Sequence, residues 1–315
     1  KMAKKPKYPK NKKWKTDFID KRDWQKYNEE LIVRGEFLLD LGWIENWDKE
    51  LQEMNDGKRG APFQFPVSLI ELQAVWHQWV SLRYIEGMTR DLVKYANVPQ
   101  FNDYSTISRR INKIDTSFEL PKQGFCSVST DGTGIKMHQT NEYRQIKYGG
   151  KKRRWLKLTI SANPLTGDLL DMNIELDGEG KSEPQIAIEH MNSLWNENIV
   201  IDKFWGDGAF DVYELFNLLE QHNTESAIPP RDDASKNSNG SMRRVREVFE
   251  YDTQSWQDWS MYKQYGKRWL GTEVIFSSVK RIFGENTKAK TVENAKKEAK
   301  RKFWAYEKMR KYAKV

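Results

Sequence analysis

The sequence predicts an α/β domain in the second half of the chain, preceded by an all-α region. Between residues 124 and 230, short runs rich in β-branched and aromatic residues alternate with longer segments of helical periodicity. Before residue 118, apolar residues recur at helical spacing, and turn-forming segments separate the helices. A chain of 315 residues also exceeds the usual size of one domain, which agrees with this division.

The composition narrows the possible classes of protein. The chain has 13 Trp, 13 Tyr and 14 Phe, which supply enough apolar surface for a folded core. One cysteine, Cys126, and four scattered histidines exclude a disulfide framework and a Cys/His zinc motif, so any metal must be held by carboxylates. No apolar run approaches the ~18 residues of a membrane-spanning helix, and the basic N-terminus lacks a signal-peptide segment. We therefore expect a cytoplasmic protein.

Positive charge is concentrated at the two ends of the chain. Residues 1–15 contain eight Lys and no acid, and residues 286–315 contain 11 Lys or Arg against three Glu, within a net charge of +8. Such ends attract phosphate backbones without reading sequence, although solvated tails that keep a protein soluble have the same composition. We expect a basic disordered arm at 1–17 and a basic C-terminal helix at 286–315.

The first part of the chain is predicted to be helical. Residues 23–35 have apolar positions at helical spacing with Gly35 as a C-cap, and a second helix spans about 44–54. The run 56–66 contains two Gly and two Pro and is typical of a linker. We place an N-terminal helical segment with its linker at 18–62.

Residues 63–118 are predicted to form a helical DNA-binding domain. A scaffold helix begins at Ser68, with Glu71 as the partner of a capping box, and two shorter helices begin at Gly87 and Ser105. The two short helices resemble a helix-turn-helix, and the second has small polar groups followed by cations, which suits the major groove. An ordinary surface helix has the same pattern. The candidate DNA-binding residues are Ser105, Thr106, Ser108, Arg109, Arg110 and Asn112.

The α/β region is predicted to contain alternating strands and helices. Strands are expected at 125–130, 154–161, 169–175, 199–206 and 226–228. Helices are expected at 183–195, 211–222, 271–283 and 291–313. The polar segment 231–244 is expected to be mobile.

Two aspartates follow predicted strands. Asp131 comes at the end of the first strand, before Gly-Thr-Gly, and small residues there leave its carboxylate open to a ligand. Asp207 follows the fourth strand between two glycines, whereas Asp211 is predicted to cap the next helix with Glu214 at its third position. We therefore favour Asp207 over Asp211 as a ligand, although an Asp beside a Gly is commonly only a turn residue.

A third acid lies on a predicted helix near the end of the chain. Glu273, Ser277, Lys280 and Gly284 fall on one helical face, opposite an apolar face. Such a stripe can serve a metal and a phosphate on one surface, and it is also common on amphipathic surface helices. Attack on a phosphodiester requires an activated nucleophile and a neutralised leaving oxygen, which two metals held by three carboxylates supply. Mg²⁺ prefers such oxygen ligands, and Mn²⁺ uses similar ones.

Several motifs together resemble the DDE transposases of bacterial and archaeal insertion sequences, over nearly the whole chain. The first two are YNEELIVRG at 27–35 and DYSTISRRIN at 103–112. The acids lie in STDGTGIK at 129–136, WGDGAFD at 205–211, and YGKRW at 265–269 followed by TEVIFSSVKRIFGE at 272–285. Each motif alone is weak, but their joint order and spacing fit the family.

The resemblance implies a ribonuclease-H-like catalytic domain at 119–285, with a mixed five-stranded sheet and helices on both faces. It implies Asp131, Asp207 and Glu273 as catalytic, metal-binding acids. It also implies that Tyr265, Arg268 and Lys280 hold DNA near the cut. Four residues separate Arg268 from Glu273 where the family usually has three, and the extra residue is expected in the turn at Gly271.

The function implied is that of a nucleoid-associated enzyme that binds double-stranded DNA at inverted repeats. It would cut and join DNA with Mg²⁺ or Mn²⁺, and it would assemble as a homodimer because two ends must be brought together. Two alternatives stay open at this point. A nuclease of the same fold would cut without joining, and a derivative that has lost catalysis would only bind DNA.

Overall fold

The computed structural model describes residues 22–122, 124–137, 155–232, 234 and 240–314. The expected disordered arm at 1–17 lies outside the described residues. So do the predicted start of the second strand at position 154 and most of the middle of the polar segment 231–244.

A mixed β-sheet is the centre of the fold. Its strands are β1 (Phe125–Met137), β2 (Trp155–Ala162), β3 (Leu169–Leu176), β4 (Val200–Trp205), β5 (Glu225–Ala227) and β6 (Asn286–Thr287). The order is β3-β2-β1-β4-β5, and the short β6 pairs with the far end of β1. β1, β2 and β3 are antiparallel neighbours, whereas β4 and β5 run parallel to β1. The predicted α/β class is thereby confirmed, but the sheet has the two-residue β6 in addition to the five strands expected.

Helices cover both faces of this sheet. On one face, α6 (Glu183–Asn196) and α7 (Tyr213–Gln221) enclose a core around Val128, Phe204 and Phe216. On the other face, α11 (Glu273–Phe283) and α12 (Val292–Tyr312) pack on Ile135 and Ile160. This second core continues without a break into the N-terminal helices, so the C-terminal helix joins the two halves of the chain.

The first strand is longer than predicted. Asp131 does not end β1, because β2 pairs with it from Ser129 to Lys136. The ladder outweighs the weak strand preference of Gly132 and Gly134. Asp131 pairs with Ile160 and therefore points to the same sheet face, the one that α11 covers.

The N-terminal helices are α1 (Trp24–Glu36), α2 (Trp47–Asn55), α3 (Val67–Trp76), α4 (Leu82–Tyr95) and α5 (Tyr104–Ile111). Two predicted caps are wrong. α1 continues past Gly35 into a 3-10 turn at Phe37–Leu39, since the chain there stays right-handed and packs on the core. The capping box at Ser68 does not form, because its backbone N–H and its hydroxyl both donate to the carboxylate of Glu50 at 2.8 and 2.5 Å.

Three helices between β5 and α11 were not predicted from the sequence. They are α8 (Met242–Asp252), α9 (Trp256–Tyr262) and α10 (Lys267–Gly271). The segment expected to be mobile at 231–244 thus ends inside α8. These helices pack through an aromatic cluster of Trp205, Trp259 and Tyr265, joined by Tyr251. None of the described helices is both long and apolar enough to cross a membrane.

The predicted cap of α7 by Asp211 is also wrong. Val212 occupies the cap position, and the carboxylate of Asp211 instead binds the guanidinium of Arg244 on α8, with Nη2 to Oδ2 at 2.8 Å. The side chain of Asp211 is 1% exposed, so this is a buried ion pair. Sequence spacing could not anticipate it because the partner lies on one of the unpredicted helices.

Candidate active site

Asp131 and Glu273 are brought together by one guanidinium. Arg268 on α10 donates from Nη1 to Oδ2 of Asp131 at 3.0 Å and from Nη2 to Oε1 of Glu273 at 3.3 Å. The Arg268 side chain is 10% exposed and that of Asp131 is 15% exposed, so water screens this contact only weakly. Residues from β1, α10 and the first turn of α11 therefore meet at one point.

The pKa of the Asp131 carboxyl is raised. Burial is the largest cause, and the charges of Asp207 and Glu183 act in the same direction. The Arg268 guanidinium and a hydrogen bond from the Gly132 N–H oppose them. Asp131 is therefore a largely buried carboxyl whose charged form is favoured by a neighbouring cation.

Asp207 lies two residues after the end of β4 and caps a 3-10 turn at Gly208–Phe210. Its Oδ1 accepts a hydrogen bond from the backbone N–H of Ala209 at 2.8 Å. Its charge raises the pKa of both Asp131 and Tyr265, so it lies within electrostatic range of both. In the part of the chain that the structure describes, Asp207 forms no hydrogen bond or ion pair with Asp131, Arg268 or Glu273.

Tyr265 and Gly271 set the position of Arg268. The Tyr265 ring is buried, 5.6 Å from the guanidinium, and burial raises the pKa of its hydroxyl. A Cβ at Gly271 would lie 2.9 Å from the Cβ of Ser129, so glycine lets α10 approach β1. Thr272 then interrupts the helix between Arg268 and Glu273.

A pocket of about 590 Å³ opens beside Asp131 and Glu273. Ser277 and Lys280 line it too, as the predicted helical stripe requires, but Gly284 does not. Gly284 ends α11 in the left-handed region at φ 78° instead. Lys280 donates from Nζ to the hydroxyl of Thr133 at 2.7 Å, which holds the ammonium at this pocket.

Glu183 is a residue near the site that the sequence analysis missed. It is the first residue of α6, and a Cβ at Gly132 would lie 2.5 Å from its Oε1. Lys157 on β2 forms an ion pair with it at 3.2 Å. The Gly after Asp131 was the available signal, since a Gly inside a strand often marks a close approach by another group.

The acids provide oxygen donors of the kind that hard divalent cations prefer. Among the described residues, no three acids, histidines or cysteines are grouped closely enough to hold a metal with their present side-chain positions. Arg268 lies between Asp131 and Glu273 and supplies the positive charge. The oxygen donors are thus of the chemical type that suits a divalent ion, but in the present arrangement Arg268 joins two of them in its place.

The predicted DNA-binding residues of α5 mostly have partners within the protein. Ser105 and Thr106 donate to Asp103, which caps the helix, and Arg109 donates to the Thr106 hydroxyl at 3.1 Å. The Arg110 guanidinium lies 4.5 Å from the Phe63 ring centre. Asn112 bonds inside the chain as well: its side chain donates to the backbone carbonyl of Ser108 and accepts from Arg301.

The strand order and directions are consistent with a ribonuclease-H-like fold, which the resemblance implied. Enzymes of this class act on nucleic acids. The chain belongs to the transposase DDE domain family: a model of that description matches residues 123–307, and a second of the same description matches 32–140. It is therefore a transposase, an enzyme that acts on DNA. No curated protein and no solved structure matches the chain.

Proposed function

We propose that this transposase binds the ends of an insertion sequence, cuts the DNA there and joins the freed 3′ end to a target. Asp131, Asp207 and Glu273 would hold Mg²⁺ or Mn²⁺. The observation that carries this proposal is the meeting of Asp131 and Glu273 on Arg268, with the charge of Asp207 acting on the same carboxyl.

Two divalent ions, when bound, supply an activated oxygen nucleophile and neutralise the leaving oxygen. The protein's own cations would do the rest. Arg268 compensates the acids until DNA arrives and then turns to a phosphate near the cut, and Lys280 holds a neighbouring phosphate from the pocket wall. Tyr265 supports the guanidinium through its ring.

The α4–α5 pair is proposed to read the DNA ends as a helix-turn-helix. α5 begins with a strong cap, because the Ser105 and Thr106 hydroxyls and backbone N–H groups bond to Asp103 and hold its pKa well below the usual value. Arg109 is exposed beside them and would be the first side chain to reach a base edge. Two ends must meet for joining, so we propose a homodimer on DNA.

The proposal is tested with the single substitutions Asp131→Asn, Asp207→Asn and Glu273→Gln. The substrate is a plasmid that carries the gene with its natural flanking DNA, with a second plasmid as target. Each substitution should reduce Mg²⁺-dependent cleavage by about 10³-fold or more. Asp177→Asn and Glu197→Gln, which change exposed acids, are the matched controls.

Cleavage by Asp207→Asn at the wild-type rate would show that Asp207 has no part in the mechanism. Cleavage without products joined to the target plasmid would instead identify a nuclease of the same fold. Light scattering of the protein bound to an end-containing duplex would test the homodimer.

A further inference from the structure

A second pocket shares no lining residue with the pocket beside Asp131 and Glu273, and most of its lining residues are cationic or apolar. It has a volume of about 240 Å³ and lies between the end of α5, strand β3 and the first half of α12. Its polar lining consists of Asn112, Thr116, Lys296, Lys297, Lys300 and Arg301. No acid is among the described residues that line it. We call this the basic pocket.

Arg301 is the buried cation of the basic pocket. It is 4% exposed, and its Nη1 donates to the side-chain oxygen of Asn112 at 2.9 Å and to the carbonyl of Ile111 at 3.4 Å. Its Nε is buried and finds no hydrogen-bond acceptor in the part of the chain that the structure describes. A buried N–H without an acceptor is costly unless a ligand supplies one.

The charge of Arg301 also lacks a close counter-charge. Glu298 is the acid whose charge acts on it, but both oxygens of Glu298 accept backbone N–H groups, from Lys288 at 2.8 Å and from Ala289 at 2.9 Å. No ion pair within 4.0 Å joins Arg301 to a described carboxylate, and burial lowers its pKa. An uncompensated buried cation of this kind favours a bound anion.

Three lysines place further positive charge at the mouth of the basic pocket. Lys296 and Lys300 are four positions apart on α12, as are Lys297 and Arg301, so each pair shares a side of the helix, and all four residues line the pocket. Lys297 has a partner in Glu293 at 3.0 Å, on the exposed surface. Lys296 and Lys300 are half-buried against the pocket and are the lysines best placed to reach into it.

We propose that the basic pocket binds a backbone phosphate of the DNA on which this transposase acts. A phosphodiester would accept from the Nε of Arg301 and from the ammonium groups of Lys296 and Lys300. Because Arg301 is bonded to the last turn of α5, a phosphate held there would fix the position of that helix along the duplex. The inference rests on one part of the proposed function, the contact between α5 and DNA.

The test measures how strongly DNA binding depends on salt. Two fluorescein-labelled 30-base-pair duplexes of unrelated sequence are titrated with the full chain by fluorescence anisotropy, over a series of KCl concentrations. The variant Lys296→Gln/Lys300→Gln removes two charges from the pocket. Lys26→Gln/Lys49→Gln removes two exposed charges from α1 and α2 and is the matched control.

The pocket variant should bind both duplexes about tenfold more weakly, and the slope of log affinity against log salt should fall by about 0.9 for one lost phosphate contact. The control should keep the wild-type slope. Equal slopes and affinities for the pocket variant and the control would overturn the inference while leaving the proposed function intact. Failure of the wild-type chain to bind either duplex would also overturn the inference.

Discussion

Arg268 and Asp131, from α10 and β1, form a contact of 3.0 Å in which a nearly buried guanidinium faces a nearly buried carboxylate. The same guanidinium reaches Glu273, so it keeps two acids together that would otherwise repel each other. In the proposed mechanism a divalent ion takes over this role. The contact between Arg268 and Asp131 therefore stabilises the fold and also holds two of the proposed metal-binding acids in place.

Replacing Arg268 by Ala should make the stability of the protein depend on Mg²⁺. Without the guanidinium, the acids repel each other, and the unfolding free energy should fall by about 2 kcal/mol in a metal-free buffer. Added Mg²⁺ should raise the melting temperature of this variant more than that of the wild type, because ion binding to the native state stabilises it. Differential scanning calorimetry with and without Mg²⁺ measures both effects.

Arg59→Ala, which removes an exposed arginine in the segment before α3, is the control for this experiment. It should leave both the melting temperature and its Mg²⁺ response unchanged. An equal Mg²⁺ response in Arg268→Ala and the wild type would show that the acids do not form the proposed metal site.

Gly271→Ala should damage the site by moving α10 away from the sheet. The new Cβ would lie 2.9 Å from the Cβ of Ser129 and 3.1 Å from the backbone of Pro164, and neither can swing aside. We expect a loss of about 2 kcal/mol in unfolding free energy, with cleavage lost as well. Gly266→Ala, at the other end of α10, meets nothing within 4 Å and should leave cleavage intact. Comparable losses for both variants would contradict this account of Gly271.

Asp207 and Asp211 should respond in opposite ways to replacement by Asn. Asp211→Asn removes the buried ion pair with Arg244, so the unfolding free energy should fall by about 3 kcal/mol. Asp207→Asn keeps an oxygen that can accept the Ala209 N–H, so the protein should stay stable while cleavage is lost. Urea denaturation and the plasmid cleavage assay, run on both variants, separate the two roles. A stable but inactive Asp211→Asn would reverse the assignment.

Lys302 should make stability depend on pH on the alkaline side. Burial lowers the pKa of Lys302 from its ordinary value of 10.5 to about 8, although its Nζ donates to the carbonyls of Phe283, Gly284 and Asn286. Between these two pKa values the unfolded chain holds a proton that the folded chain lacks, so folding releases it. The contribution of Lys302 to the unfolding free energy should therefore rise from pH 8 to 10.5 and be lost as pH falls through about 8.

Lys302→Gln isolates this effect, because Gln still donates to a carbonyl but does not titrate. The difference in unfolding free energy between wild type and Lys302→Gln should grow in favour of the wild type as pH rises from 8 to 10. A difference that stays constant over this interval would mean that the pKa of Lys302 is not lowered.

Five of the six described strands and most of the described helices were predictable because their periodicity is local. β3, α6 and α12 begin and end within a residue or so of the predicted positions, since apolar spacing and turn residues mark them in the sequence alone. β1 exceeded its prediction because pairing with β2 overrides the low strand preference of glycine. The sequence pattern within β1 gives no information about the strand with which it pairs.

The candidate site was predictable only in part, for a related reason. Asp131 and Glu273 could be singled out from their neighbours in the sequence, and Arg268 from a resemblance. Their joint contact depends on α10, which has only five residues and too little periodicity to recognise. Glu183 and the pair of Asp211 with Arg244 were missed because each partner comes from a distant element.

The most direct measurement of the central claim is a crystal structure with Mn²⁺ and a DNA end, using the anomalous signal of manganese to locate the ions. The account predicts manganese bonded to the carboxylates of Asp131, Asp207 and Glu273, with Arg268 turned from Asp131 to a phosphate. Manganese bound elsewhere, with Arg268 still joined to Asp131 in the DNA complex, would contradict it.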